Sequence, residues 1–501
     1  MEPDHLAVPL PVRFDAGHIE AFRAVSYDQN PLHSDPVYAR KTQFGEPIVF
    51  GVGVVLGVLG RLFSGRRISI RDIKVTFLRP VFIERDYRIE AKIREGVYFI
   101  SVTEASSVHL RIKLTLGADR AANTADGATA ADCTPPRMTD HAPTNMRYSL
   151  NWLGYDECCR CFELPLGLLS PVQINALLWS SYFVGMVNPG TQGLFTTLEF
   201  TFDAFSEAAT AIELVDLQYE LDDRHNTVHV TGMGTGISRF ALNAMRRPLP
   251  IQYSMLDVGN ALAQGRVDLT NAKAQFDGKR VFVSGGSRGL GSVFARGLAV
   301  LGAVVIAGCR YQSDDADALA ADLVAFNPAS GVLAADLADA SAFRQALEAA
   351  AAGASFDFLV CAASPVIKSA PLRELEGDQI IEFIARSLAL FLTPLKALLP
   401  RVASGGRIIV ISSVYAARPE KYFGHYVAAK RAIEGLTEVL AKEHPTIEFM
   451  VFRPVRFLSD QTNAVLEKGL LPSAVDIFEA FLNRLLEAKE SGGSNLRFFD
   501  S

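Results

Sequence analysis

The chain has 501 residues, a formal net charge of −6, and 49% apolar against 21% charged residues. That length exceeds what one hydrophobic core serves and predicts roughly two to four domains of a soluble globular protein. A net negative balance with no block of lysine or arginine excludes nucleic acid as the partner. The first fifteen residues show no basic flank ahead of an apolar run, so no signal peptide is read there. The longest apolar stretch, Ile48 to Phe63, falls short of a membrane span. The expectation is a cytoplasmic protein with no membrane partner. Of the six cysteines, Cys158, Cys159 and Cys161 lie close together, but without the paired spacing and nearby histidines of a zinc site. No metal is expected, and the thiols are read as free.

In chain order, a short β-like run (Ala7 to Phe14) and an amphipathic stretch (His18 to Tyr27) lead into Asp28-Gln29-Asn30-Pro31-Leu32-His33-Ser34-Asp35. A loop and a buried helix from Ile48 follow. Alternating apolar residues then predict strands over Ile68 to Phe77, Asp86 to Glu95, Tyr98 to Ala105 and Val108 to Leu116. One apolar helix laid on an antiparallel sheet is an α+β layer. The loop holds the chemistry of this half. An imidazole titrating near neutrality and a carboxylate five residues away can hold a water molecule between them, one taking its proton as the other delivers a proton to carbon. Asp, Asn and Pro are also ordinary turn formers, so on residues alone a structural turn stays open.

The pattern D-x-N-P-L-H-x-D, followed by Phe44-Gly45, Pro47-Ile48-Val49 and Gly51, resembles the MaoC-like, R-specific enoyl-thioester hydratases of the hot-dog fold. Val75 to Phe82 is similar to that family's first long strand. The resemblance implies that Asp28 and His33 are the catalytic pair and that Gly51, opening the hot-dog helix, offers its N–H to the thioester carbonyl. An amide at a helix start aimed at a developing enolate is the physical reason for such a glycine. Phe50 stands where many relatives carry histidine, which bears on the shape of the acyl pocket.

Residues 119–146 are rich in Ala, Asp, Thr and Pro without apolar periodicity and read as a linker. Residues 147–250 then repeat the order helix (Val172 to Val187) and strands (Leu194 to Phe202, Ala211 to Leu221, Thr227 to Thr235) with no D-x-N-P-x-H stretch. They are read as a second, degenerate hot-dog that walls the substrate tunnel, or else as a separate small domain. Residues 251–276 read as a connector.

From residue 277 to 501 strand and helix signals alternate, predicting an α/β doubly wound parallel sheet. The run Val281-Phe282-Val283-Ser284 enters a turn with glycines at 285, 289 and 291, and an apolar helix leaves it. Such a turn lets the backbone approach a pyrophosphate at the positive end of a helix. Cys309-Arg310 ends the second strand where an acid would grip a ribose 2′-hydroxyl. Arg288 and Arg310 can instead pair a 2′-phosphate, which favours NADP(H). Asp336-Leu337 follows the third strand, where a carboxylate can accept from an adenine amino group. Tyr426 and Lys430, four apart, share a helix face, and a nearby ammonium favours the phenolate.

With G-x3-G-x-G, Asp336-Leu337, Ser413 and Y-x3-K in order, this region resembles the short-chain dehydrogenase/reductases with a Rossmann fold. The resemblance implies that Ser413 orients the substrate, Tyr426 is the acid/base, and Lys430 lowers the tyrosine pKa and binds the nicotinamide ribose. It places Gly285, Ser287, Arg288, Gly289, Leu290, Gly291, Arg310, Asp336, Leu337, Ala362, Ala363, Tyr426, Lys430 and Pro454 around the cofactor. The family's N-N-A-G turn reads Cys361-Ala362-Ala363-Ser364, its helix asparagine is Ser387, and its P-G is Pro454-Val455. Losing the asparagine questions the usual proton relay through lysine.

The chain is thus expected to be an α+β double hot-dog followed by a Rossmann domain. Its expected activity reduces a 3-oxoacyl thioester of CoA or acyl-carrier protein and dehydrates the 3-hydroxy product to a trans-2-enoyl thioester. The stereochemistry implied by both resemblances, the R alcohol, agrees. One alternative runs the pair backwards, as hydratase and dehydrogenase. Another leaves a reductase beside a carrier-docking module, against which Asp28 and His33 argue, and a third makes the reductase half a scaffold. A homodimer is expected, as both families generally associate.

Overall fold

The computed structural model describes residues 9–117, 143–203, 209–464, 469–487 and 495–501. It divides into two compact units, the first ending at Leu249 and the second beginning at Pro250. The expected linker lies outside the described residues as far as residue 142.

In the first unit, β1 (Leu10–Arg13), α1 (Ala16–Ser26), α2 (Pro36–Arg40) and α3 (Gly51–Leu62) precede β2 (Ile70–Phe77), β3 (Asp86–Arg94), β4 (Val97–Glu104) and β5 (Ser107–Leu116). After the undescribed segment come β6 (Met146–Tyr148), α4 (Tyr155–Cys161), α5 (Pro171–Tyr182), β7 (Gly193–Phe202), β8 (Ile212–Asp222), β9 (Thr227–Gly234) and β10 (Ile237–Arg246). These strands form one antiparallel ten-stranded sheet in the order β1-β3-β4-β5-β2-β7-β10-β9-β8-β6. The two halves join where β2 pairs with β7, placing Ile73 opposite Phe200 and Val75 opposite Leu198.

α3 and α5 share one hydrophobic core with the inward residues of both half-sheets. α5 is buried along its whole length, which suits the central helix of a sheet this wide. It starts on a capping box, Ser170 with Gln173, and has Pro171 in its first turn, where the missing N–H costs nothing. Beyond Tyr182 the chain continues as a single π-helical turn, Phe183–Val187, so the long helix read over Val172 to Val187 changes its winding before it ends.

The second unit runs α6 (Met255–Leu262), α7 (Leu269–Phe276), β11 (Arg280–Ser284), α8 (Gly289–Val300), β12 (Val304–Cys309), α9 (Asp314–Phe326), β13 (Gly331–Ala334), α10 (Ala340–Ala351) and β14 (Phe356–Cys361). It continues with α11 (Gly377–Leu398), β15 (Val402–Ile411), α12 (Val414–Ala417), α13 (Gly424–Glu443), β16 (Glu448–Arg453), α14 (Ala474–Glu487) and β17 (Leu496–Asp500). Its seven strands are parallel in the order β13-β12-β11-β14-β15-β16-β17. The order reverses between β11 and β14, which opens a crevice at their carboxyl ends.

The stretch 251–276 is a folded part of this unit and not a connector: Val258, Leu262, Ala272 and Phe276 from α6 and α7 are buried in its core. By length and composition alone α11 is apolar enough to cross a membrane. Its Phe391, Leu395 and Leu398 are buried in the core beside the sheet.

Candidate active sites

In the first unit a cleft of about 210 Å³ is lined by Asp28, His33, Gly51 and Phe77 from the first half and by Ser181, Gly185 and Phe195 from the second. The three catalytic residues expected here therefore converge on one cavity. Asp28 is only 1% exposed. Its Oδ1 accepts from the Asn30 N–H at 3.1 Å and its Oδ2 from the Ser181 hydroxyl at 2.8 Å. Burial pushes its pKa up to about 7, against the pull of Ser181, Asn30 and the more distant charge of Arg23.

His33 lies at hydrogen-bond distance, 2.8 Å, between Nδ1 and the Ile48 carbonyl. A carbonyl only accepts, so Nδ1 carries the proton and Nε2 keeps its lone pair. Burial pushes the imidazole down to about 4, and the cation of Arg247 adds to the shift while the Ile48 bond opposes it. The two groups titrate in inverted order, a neutral base beside a carboxyl that can hold a proton near neutrality. Phe50 is stacked on the His33 ring, with centroids 3.8 Å apart, and on Phe22 at 4.5 Å. It thus backs the imidazole and does not shape the cleft wall. A side chain on Gly51 would meet the Phe77 ring at 2.6 Å, so only glycine fits there, and as the first residue of α3 its N–H has no intrahelical acceptor.

In the second unit the other expected residues lie on the strands, turns and helices of the parallel sheet. Ser284 Oγ, at the end of β11, accepts from the N–H groups of Ala362 and Ala363 at 3.0 and 3.2 Å and ties the two central strands together. Gly285 has φ of +71°, and a Cβ on Gly291 would sit 2.2 Å from the Gly285 carbonyl oxygen. The turn closes on itself and then opens α8 at Gly289, a cradle that fits a dinucleotide pyrophosphate at a helix start. Leu290 is buried beside it, Ser287 lies in the turn, and Leu337 belongs to the core, where it packs against Gly308.

The two arginines read as phosphate partners face carboxylates: Arg288 lies 3.4 Å from Asp460, and Arg310 lies 3.8 Å from Asp336. Asp336, read as an acceptor for adenine, is already held by Arg386 at 2.7 Å through each oxygen. Burial raises its pKa, but Arg386, the Ala338 N–H and Arg310 together outweigh that and leave the carboxyl below its ordinary range.

Ser413 caps α12, and its hydroxyl is hydrogen-bonded to Tyr426 in the first turn of α13. Lys430 Nζ lies 5.7 Å from the centre of the Tyr426 ring and donates to the Ile411 carbonyl at 2.8 Å. The ammonium does not bring the phenol toward neutrality as expected. Burial pushes Tyr426 up to about 12, with Ser413 pulling the other way, and the same burial pushes Lys430 down to about 8. Pro454 lends its carbonyl to the Val414 N–H. Ser387, in the asparagine position, spends its hydroxyl on the Phe383 carbonyl one turn back, 2.8 Å away.

Residues missed from the sequence are Ser181 and Gly185, far from Asp28 along the chain, and Glu434. Glu434 is buried in a network with Ser412 and with Arg453, whose two nitrogens approach it at 2.9 and 2.8 Å. The i,i+4 spacing of Lys430 and Glu434 was the one available signal.

The fold and the two sites define a nucleotide-binding oxidoreductase unit joined to an antiparallel unit with a buried acid–base cleft. Residues 279–468 match the short chain dehydrogenase family and residues 4–113 match the MaoC like domain. The chain is 36% identical over 84 residues to an (R)-specific enoyl-CoA hydratase of Aeromonas caviae, covering 16% of this chain and 63% of that protein. It is 33% identical over 172 residues to D-threitol dehydrogenase of Mycolicibacterium smegmatis, covering 34% and 65%. It is 30% identical over 168 residues to the 3-oxoacyl-[acyl-carrier-protein] reductase of Pseudomonas aeruginosa, covering 33% and 68%. The chain spans just under two thirds of the first two relatives. It belongs to the short-chain dehydrogenases through its second unit and carries a MaoC-like domain at its N-terminus.

Proposed function

We propose that the protein reduces a 3-oxoacyl thioester, of CoA or of an acyl-carrier protein, in its second unit and dehydrates the resulting 3-hydroxyacyl thioester in its first. The observation that carries this reading is the single cleft that brings Asp28, His33 and Gly51 together, where burial pushes the carboxyl up and the imidazole down. His33 Nε2 takes the proton from C2, and protonated Asp28 gives its proton to the leaving C3 hydroxyl. One water and one trans-2-enoyl thioester result. The Gly51 N–H, at the positive end of α3, steadies the charge on the thioester oxygen between those transfers. The second half of the unit, with its own central helix on the shared sheet, is in this reading a second hot-dog that has lost its acid–base pair and serves as the other wall.

In the second unit the glycine turn, Ala362 and Ala363 would hold the dinucleotide, with Arg288 and Arg310 set to favour a 2′-phosphate and hence NADP(H). When bound, that cofactor supplies a hydride to the carbonyl carbon. Ser413 orients the carbonyl, Tyr426 gives its phenolic proton to the oxygen, and Lys430 holds positive charge behind the phenol. The relatives acting on enoyl-CoA and on 3-oxoacyl-[acyl-carrier-protein] support a thioester substrate. Incubation with 3-oxoacyl thioesters and NADPH, followed by mass analysis of the acyl group, tests the reading. The expected product is the enoyl thioester, and an acyl group that stays at the 3-oxo level sinks it.

A further inference from the structure

The second half of the first unit carries no D-x-N-P-x-H stretch, yet two of its residues close on Asp28. Ser181, in the last turn of α5, donates to Asp28 Oδ2 across 2.8 Å, with both residues buried. Within the π turn that follows, Gly185 stands so near that a Cβ there would lie 2.5 Å from Oδ1 and 2.6 Å from Oδ2. The carboxyl group therefore rests against the bare backbone of the second half. Its other donor is the Asn30 N–H.

The choice of a hydroxyl matters for a group that must carry and release a proton. An arginine or lysine at this place would hold Asp28 in its charged form, and an aliphatic side chain would leave burial to hold it neutral. A serine hydroxyl donates to the carboxylate and, turned about its C–O bond, accepts from the carboxylic acid. It satisfies both forms and so narrows the free-energy gap between them. Arg23 on α1 acts only through its charge, Tyr148 of β6 and Tyr182 of α5 are buried phenols held well above neutrality, and His33 shares the cleft as the partner base.

We propose that Ser181 is a positioning residue of the dehydratase site, supplied by the second half of the unit, which holds Asp28 Oδ2 in both protonation states against the opening left by Gly185. The proposal rests on the reading of Asp28 as the acid of that site. It gives the degenerate half a chemical duty that its own sequence does not advertise.

The test uses the full chain and a short trans-2-enoyl-CoA, whose hydration is followed from pH 5 to pH 9. Parent, Asp28→Asn, Ser181→Ala, Ser181→Thr and Gly185→Ala proteins are compared, with carbonyl reduction on the same samples as a control for concentration. Loss of a hydrogen bond to a charged group should lower hydration by Ser181→Ala about ten- to a hundredfold and move the limb near pH 7 upward by about one to two pH units. Threonine, which keeps the hydroxyl, should restore the parental limb, and Gly185→Ala should lose hydration by pushing the carboxyl aside. A Ser181→Ala profile that superimposes on the parent overturns the proposal while the reading of Asp28 stands. Equal hydration by Asp28→Asn and the parent overturns that reading itself. Should Ser181→Ala fail to fold, Ser181→Cys, a weaker donor, carries the same comparison, and an unmoved limb then overturns the proposal.

Discussion

Asp28 shows what the site costs the fold. Its carboxyl titrates at about 7 in the folded chain against an ordinary 3.8, so the folded state holds the proton more tightly than the unfolded one. The sign follows: there is no penalty below the ordinary value, and stability is lost as the pH rises through the window up to about 7. Asp28→Asn removes the titration, so its gain over the parent should grow from pH 4 to pH 7 and level off above, toward roughly 4 kcal/mol. Thermal melting at pH 5 and pH 8 checks this, and a gain that does not grow with pH would contradict the buried charge. In the second unit, Tyr426→Phe should abolish carbonyl reduction while hydration of a supplied enoyl thioester continues, since phenylalanine has no proton to give. Cofactor oxidation and hydration assayed on the same sample separate the two. The parent should use NADPH better than NADH, and Arg310→Asp should narrow or reverse that preference by placing a carboxylate where a 2′-phosphate is to be paired. Equal kcat/KM for both cofactors in the parent would show that Arg310 serves only its carboxylate partner.

Among the elements, the junction of the glycine turn with α8 tolerates little. A methyl group on Gly291 would collide with the Gly285 carbonyl oxygen at 2.2 Å, and backbone cannot step aside as a flexible side chain can. Gly291→Ala should therefore weaken NADPH binding at least tenfold, about 1.4 kcal/mol or more, and leave enoyl hydration at the parental rate. Fluorescence titration with NADPH measures the first and the hydration assay the second. Element boundaries were legible wherever one period held. The strands from Ile70 to Leu116 and the central helices fall within a few residues of where apolar spacing puts them. β10 was not seen, because a register shift between Ile237 and Phe240 breaks its alternation, so Ile237, Phe240 and Leu242 reach the core without a strict period of two. The helices α6 and α7 are hard to read in the sequence because each is only eight residues long and shows a single buried stripe.

At the scale of the whole molecule, the proposed function has two reactions on one chain share a 3-hydroxyacyl thioester. A Tyr426→Phe protein and a His33→Ala protein each lack one step, so a mixture of the two should again convert a 3-oxoacyl thioester to the enoyl product through the released intermediate. Mass analysis of the acyl group over time is the check, and a mixture that stops at the 3-hydroxy stage would mean that the intermediate never leaves the chain that made it. The sequence by itself determined the MaoC-like domain and the parallel nucleotide-binding fold and grouped most of the candidate residues, because Asp28 and His33 share one loop, the glycines 285 to 291 share one turn, and Tyr426 and Lys430 share one helix face. In each case the candidate residues lie within a few positions of one another on a single element, where spacing along the chain is spacing in space. Only the tertiary structure decided that β2 pairs with β7 to make one sheet, that burial and not the ammonium governs Tyr426, that Asp336 is taken by Arg386, and that Ser181 and Gly185 lie against Asp28. Those outcomes depend on desolvation and on contacts across more than a hundred residues or between separate strands and helices, and a local pattern carries no record of either.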